Sequence, residues 1–300
     1  MDVRDMSFED EYVDTKTIDT LVPDIEELLL GGLGEGYVDE GIGERMYDVL
    51  RRGLQPRDPD RGTKVWFSNV GSPCVRQLWY KVHCGDEAEP HRANTRLKFL
   101  YGDFLEEIIL ELARVAGHVV EHEQARLEWR DITGRIDAVI DGHLLDVKTA
   151  SKLSFAKFKG GLKPENDSFG YLGQLKGYLL AARENGLVPP DCNTASFLVI
   201  AKETGDIHLD THTFTESELQ DFTWQADVVK VKIADDTTTP ARGFNHVADG
   251  KSGNRKLGTN CSYCDFKDKC WPGLRTFLYS GKPRFLTKVV RTPDVPELKG

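Results

Sequence analysis

No apolar run in this 300-residue chain approaches the ~18 residues that a membrane-spanning helix needs, so no membrane partner is expected. The amino terminus, MDVRDMSFEDEYVD, lacks an apolar h-region; no secretory signal is expected, and the chain reads as cytoplasmic. A Gly-rich loop ending in Lys-Ser or Lys-Thr is missing too, which argues against a built-in ATP motor. The eight histidines show no H-E-x-x-H or comparable metal spacing, and there is no internal repeat. What remains is ordinary globular material, 39% hydrophobic and 29% charged, on a chain long enough to bury a sizeable core.

A basic excess is also missing. The net charge is −10, which looks wrong for a nucleic-acid partner until it is divided along the chain. Residues 1–48 hold fifteen Asp or Glu against three Lys or Arg, a net of −12, so the other 252 residues sum to +2. Within them Lys152, Lys157, Lys159 and Lys163 follow one another with no acidic residue between Val147 and Pro164, and further Lys and Arg gather in the last residues. Those lysines, with Arg76 and Arg135, are candidate DNA phosphate contacts. Composition divides the chain into an acidic arm or small helical appendage at 1–63, a denser domain at 64–272 and a basic tail at 273–300.

The stretch GRIDAVIDGHLLDVKT, residues 134–149, carries the most chemistry. Asp141-Gly142 is a strong signal for a two-residue type I′ turn, whose two central positions need φ > 0. That turn pairs Ile140 with His143, Val139 with Leu144, Ala138 with Leu145, Asp137 with Asp146 and Arg135 with Lys148. Alternation then puts Arg135, Asp137, Leu144, Asp146 and Lys148 on one, mostly charged face and Ile136, Ala138, Ile140, Leu145 and Val147 on an apolar one. Opposed carboxylates repel in a bare antiparallel pair, and a divalent cation between them relieves this.

Two helices flank the hairpin. In RLKFLYGDFLEEIILELARVAG, Leu105, Ile108, Ile109 and Leu112 form the expected apolar stripe and Asp103, Glu107 and Glu111 the polar face. Glu106 stands at the edge of the stripe, where a carboxylate needs a partner or a metal, with Glu107 as the substitute if the helix is rotated. In DSFGYLGQLKGYLLAARENG, Gln174 and Tyr178 share a face, with Tyr171 nearby. One long strand is expected at HVVEHEQARLEW, two more at ASFLVIAK and DIHLDTHTF, and Thr215-x-x-Glu218 reads as a capping box opening a helix to about Ala234.

Six cysteines in a chain read as cytoplasmic are not expected to form disulfides. CSYCDFKDKC puts Cys261, Cys264 and Cys270 within ten residues, one thiolate short of a four-ligand site. Cys74, in SNVGSPCVRQLWY, is the remote fourth candidate and Cys84 its rival; Cys192 reads as a bystander. Four thiolates also suit Zn²⁺.

Asp137 followed by Asp146-Val147-Lys148 resembles the PD-(D/E)xK phosphodiesterase signature, and the motif order resembles the Cas4/RecB-like iron–sulfur exonucleases of that superfamily. Gly102-x-x-x-Glu106 resembles the first motif of the λ-exonuclease and YqaJ-like branch, where the Cas4 and RecB branch usually has His. Gln174-x-x-x-Tyr178 resembles the motif that follows the DxK strand in RecB-type nucleases. One cysteine before the core and three after it resembles the cluster motif of that group. The resemblance implies an α/β restriction-endonuclease-like core, a mixed central sheet flanked by helices, its ends stapled by a [4Fe–4S] cluster on Cys74, Cys261, Cys264 and Cys270. It implies Mg²⁺ or Mn²⁺ on Glu106, Asp137, Asp146 and the Val147 carbonyl, with Lys148 assisting catalysis and Gln174 and Tyr178 positioning the strand. The implied activity is exonucleolytic hydrolysis of DNA ends or single strands in recombination, repair or phage replication, with a recombinase or helicase as a candidate partner. A structure-specific endonuclease and a non-catalytic DNA-binding protein are the alternatives.

Overall fold

The computed structural model describes residues 16–34, 36–55 and 64–298. Residues 1–15 of the expected acidic arm, Glu35, residues 56–63, Lys299 and Gly300 lie outside the described residues. The amino-terminal half holds α1 (Leu21–Gly31), α2 (Ile42–Leu54), α3 (Phe67–Val70), α4 (Val75–His83) and α5 (Ala93–Val115). Next come β1 (Val120–Glu121), β2 (Arg126–Trp129), β3 (Ile132–Arg135), β4 (Ala138–Ile140) and β5 (His143–Ala150). After them run α6 (Lys152–Lys159), α7 (Tyr171–Glu184), β6 (Thr194–Ala201), β7 (Ile207–Thr213) and α8 (Glu216–Ala234).

A five-stranded sheet in the order β1-β4-β5-β6-β7 forms the centre. Only β5 and β6 run parallel, and the connection between them carries α6 and α7, the kind of helical crossover that a parallel pair requires. The expected mixed sheet flanked by helices is therefore present. Both its faces are covered. Val139, Leu144, Phe197 and Val199 bury against Leu175 and Leu179 of α7 and Phe222 of α8. Ala138, Ile140, Leu145 and Leu198 bury against Ile109 and Leu110 of α5 and against Leu21 and Ile25 of α1. This explains why TASFLVIA is almost continuously apolar: a central strand has no solvent side.

The Asp141-Gly142 turn has φ values of +51° and +75°, and the register Ala138–Leu145, Val139–Leu144, Ile140–His143 follows as expected. Asp141 is further held by the Val119 N–H at 2.9 Å and by His118 Nδ1 at 2.7 Å. The expected pairing does not continue past Ala138. The chain leaves the sheet at Ile136–Asp137, and β3 pairs with β2 instead, so Arg135 faces Arg126 and not Lys148. The single strand expected at 118–129 is likewise broken, between β1 and β2, where His122 and Gln124 adopt positive φ. The physical reason is shared: β2 and β3 twist away as a separate ribbon that packs Trp129 and Ile132 on Phe222 and Phe67.

Helix α8 opens with the expected capping box, Thr215 Oγ1 accepting the Glu218 N–H and Glu218 accepting the Thr215 N–H. Beyond it a second sheet, in the order β12-β10-β11-β9-β8, joins β8 (Val247–Ala248), β9 (Arg255–Lys256), β10 (Arg275–Tyr279), β11 (Lys282–Lys288) and β12 (Glu297–Leu298). The stretch expected as a basic tail thus supplies three strands, with Phe277 and Leu286 buried. Between β9 and β10 lie α9 (Thr259–Ser262) and α10 (Lys267–Cys270), which carry the cysteine-rich segment.

Candidate active site

Asp146 and Lys148 are two residues apart on β5 and so share a face, the one toward α7. Asp146 is buried, and Lys148 closes an ion pair onto its Oδ2, which makes no well-formed hydrogen bond. Asp137, just before β4, points its Oδ2 at the Val147 N–H, 2.7 Å away. Glu106 arrives from α5 and accepts a hydrogen bond from the Gln124 side chain. The Gln124 backbone N–H donates to the Asp137 carbonyl at 3.1 Å, so one residue ties Glu106 to Asp137. Gln124 was not singled out in the sequence; the signal was the polar run Glu121–Gln124, which interrupts an otherwise alternating strand.

The electrostatics show how tightly these groups are set. Burial, and then the charge of Asp146, push the Asp137 carboxyl up to about 7. Burial, and then Asp137, hold Glu106 well above the usual carboxylate range. Burial works against the charge on Lys148, but Asp146 and Asp137 outweigh it and keep the ammonium protonated far into the alkaline range. Burial, Asp146 and Asp137 likewise raise the Tyr178 phenol, whose oxygen accepts a hydrogen bond from Gln174 Nε2 at 3.2 Å. The ring of Tyr171 lies 5.4 Å from Lys148 Nζ.

The expected faces of α5 need correction. Glu107 and Glu111 are buried, while Ile108, assigned to the apolar stripe, is 42% exposed. The cause is α2: its Arg45 reaches Glu111 at 2.6 Å and Glu107 at 3.6 Å, and turns a surface-like glutamate pair into an interior ion network. Glu107 is thereby committed elsewhere, and Glu106 is the carboxylate that meets Asp137. Ile136, expected on the apolar face with Ala138 and Ile140, instead buries with Val139 and Leu144 on the side toward α7, because the chain has left the sheet there.

Among the described residues, no three His, Cys, Asp or Glu side chains stand together in a set that holds a metal ion. The carboxylates nonetheless fit a hard divalent cation. All donors are oxygens, Asp146 Oδ2 lacks a well-formed hydrogen bond, Asp146 raises the proton affinity of Asp137 and Glu106, and Asp137 that of Glu106, a repulsion that a cation relieves.

Cys74, Cys261, Cys264 and Cys270 all line one cavity of about 270 Å³, which also borders Arg76, Tyr171 and Gln174. Burial raises the Cys264 thiol to about 11, with Cys74 and Cys261 among its neighbours. The rival Cys84 is not part of that lining, although it packs on the same Trp79, Tyr80 and Phe266 group as Cys264 and Cys270, and Cys192 packs on the central core with its thiol on the Thr194 carbonyl. Gly71 lets the two halves meet: a Cβ there would fall 2.4 Å from the Gly170 carbonyl at the start of α7. Of the expected phosphate contacts, Lys152, Lys159, Lys163 and Arg135 are exposed, whereas Lys157 donates to the Asn166 carbonyl at 3.0 Å. Arg76 lies over the Tyr80 ring.

A profile of the PD-(D/E)XK nuclease superfamily matches residues 40–271. The chain belongs to that superfamily. The match begins inside the stretch read as an acidic arm and includes α2, which agrees with Arg45 being part of the interior. As a PD-(D/E)XK chain, the protein has phosphodiester hydrolysis as its family chemistry, and divalent metals are what the family typically uses. No curated protein matches it in sequence. The crystal structure of SSO0001 is similar at 13% identity over 75% of this chain and 91% of that one, with a TM-score of 0.37.

Proposed function

We propose that this protein is a Mg²⁺- or Mn²⁺-dependent deoxyribonuclease that releases nucleotides from DNA ends or single strands. The observation that carries this reading is that Glu106, Asp137 and Asp146 come together beside Lys148, with one ammonium for three buried carboxyl groups, a charge imbalance that a divalent cation would relieve. Those carboxylates and the Val147 carbonyl would hold the metal, which when bound neutralises phosphate charge and eases deprotonation of water. Lys148, held protonated by its two aspartates, presents a fixed positive charge to the scissile phosphate on the same strand face. Tyr178 keeps its proton and so donates to the strand, while Gln174 fixes the orientation of the phenol. Gln124 and the Val147 N–H hold Glu106 and Asp137 in place. The exposed lysines of α6 and the loop after it supply phosphate contacts.

The test is nucleotide release from end-labelled linear DNA with Mg²⁺ or Mn²⁺. Asp146→Asn and Lys148→Ala should each lose on the order of 10²-fold or more. Wild-type protein that degrades no linear, circular or single-stranded DNA with either metal would sink the proposal, and a strong preference for circular DNA would turn it into an endonuclease.

The cysteine cavity supports a [4Fe–4S] cluster. Arg76, which lines it, keeps a buried Nε–H without a hydrogen-bond partner, as a donor to cluster sulfur would, and the Trp271 side chain faces the Cys261 thiol. Zinc is the alternative; structural zinc sites usually pair C-x₂-C knuckles, and the five-residue spacing from Cys264 to Cys270 departs from that pattern. Iron and acid-labile sulfide in anaerobically purified protein, lost in Cys261→Ser, are the expected result; colourless protein holding zinc would reverse the choice.

A further inference from the structure

The rings beside Lys148 continue outward. Tyr171, next to the ammonium, lies 5.7 Å from Phe169, and Phe169 lies 6.2 Å from Tyr263. Exposure rises along the series, from half-buried Tyr171 to Phe169 at 45% and Tyr263 at 74%. Neither Phe169 nor Tyr263 packs in a buried cluster, so the core gains nothing from them. Phe169 and Tyr171 also form the shared wall of two depressions, the cysteine cavity and a smaller one of about 80 Å³ that Ser151, Ser154 and Lys157 of the α6 region line. Cationic α6 thus stands on one side of an aromatic ridge that ends at the candidate active site.

We infer that Phe169 and Tyr263 stack the unpaired bases of a DNA strand whose backbone passes Lys148. This deepens the nuclease reading and rests on it for the strand's destination. The substrate class it selects is single-stranded DNA or a frayed end, not intact duplex. In a duplex each base is stacked on its neighbours and has no free face, whereas an unpaired base can lie on an exposed ring of any orientation. The ridge reads no hydrogen-bonding edge, so it tolerates all four bases.

The test uses full-length protein carrying Asp146→Asn, without added metal, and three labelled probes: a short oligothymidylate, the same backbone with consecutive abasic sites, and a blunt duplex of equal length. The oligothymidylate should bind best. Phe169→Ala and Tyr263→Ala should each weaken it by ~5- to 150-fold while leaving the abasic probe nearly unchanged, and Tyr263→Phe should restore binding. Equal affinity for oligothymidylate and abasic probe, or alanine variants that bind like their parent, would overturn the ridge. Hydrolysis separates the two readings. In a chain with Asp146 intact, the alanine variants should raise KM and keep kcat. Unchanged KM with continued hydrolysis removes the ridge and leaves the nuclease; ring-dependent binding with no hydrolysis in wild type does the reverse.

Discussion

Asp137 shows how a single residue trades stability for chemistry. Its carboxyl is raised to about 7 in the folded state, against an ordinary value near ~3.9 in an unfolded chain. Between those values the folded state holds the extra proton, so stability falls as pH rises through the window, and the penalty is complete above about 7. Asp137→Asn can still accept the Val147 N–H and removes the charge. In urea melts with chelator it should therefore exceed wild type by ~1–3 kcal/mol at pH 8 and match it near pH 4, at the cost of activity. A variant less stable than wild type at pH 8 would contradict the buried-charge account. Divalent metal takes the place of that proton, so Mn²⁺ should raise the wild-type Tm more at pH 8 than at pH 5.5.

At the scale of elements, the hairpin depends on its turn and the turn on its neighbours. His118 is buried, with Nδ1 on Asp141 at 2.7 Å and Nε2 on Asp24 of α1 at 3.1 Å. His118→Ala leaves both carboxylates short of a partner in the interior and should cost about 1–3 kcal/mol in denaturant melts. Gly142, at φ +75°, is the other support; Gly142→Val should cost more than ~1 kcal/mol and also lower activity, because a slipped register turns Asp146 and Lys148 to the opposite face. The turn was legible in the sequence because both its demands fall on adjacent residues. Its anchoring was not, since His118 and Asp24 reach it from 23 residues upstream and from another helix.

For the whole molecule, the amino-terminal helices belong to the interior. Leu21 and Ile25 are fully buried beneath the sheet, and α2 supplies the cation for Glu107 and Glu111. Leu21→Ala should cost roughly 2–5 kcal/mol, as for a core leucine, where a loosely attached arm would show almost none. Thermal unfolding followed by circular dichroism decides between them. The net of −12 over residues 1–48 concealed this, because a charge total does not show that half-buried Arg45 reaches across to Glu107 and Glu111 of α5. The carboxy-terminal stretch misled for the same reason: its Arg and Lys dominate the count, while Phe277 and Leu286 decide where it goes.

By itself the sequence determined whatever closes within a few residues: the type I′ turn, Asp146 and Lys148 on one side of a strand, Gln174 and Tyr178 one helical turn apart, the capping box of α8. Those follow from dihedral limits and from the periods of strand and helix. Only the tertiary structure decided that Glu106 and not Glu107 meets Asp137, that Arg135 pairs with Arg126, and that Cys74 shares a cavity with three cysteines nearly two hundred residues away. Each of these turns on what packs against an element from a distance, and no local period carries that information.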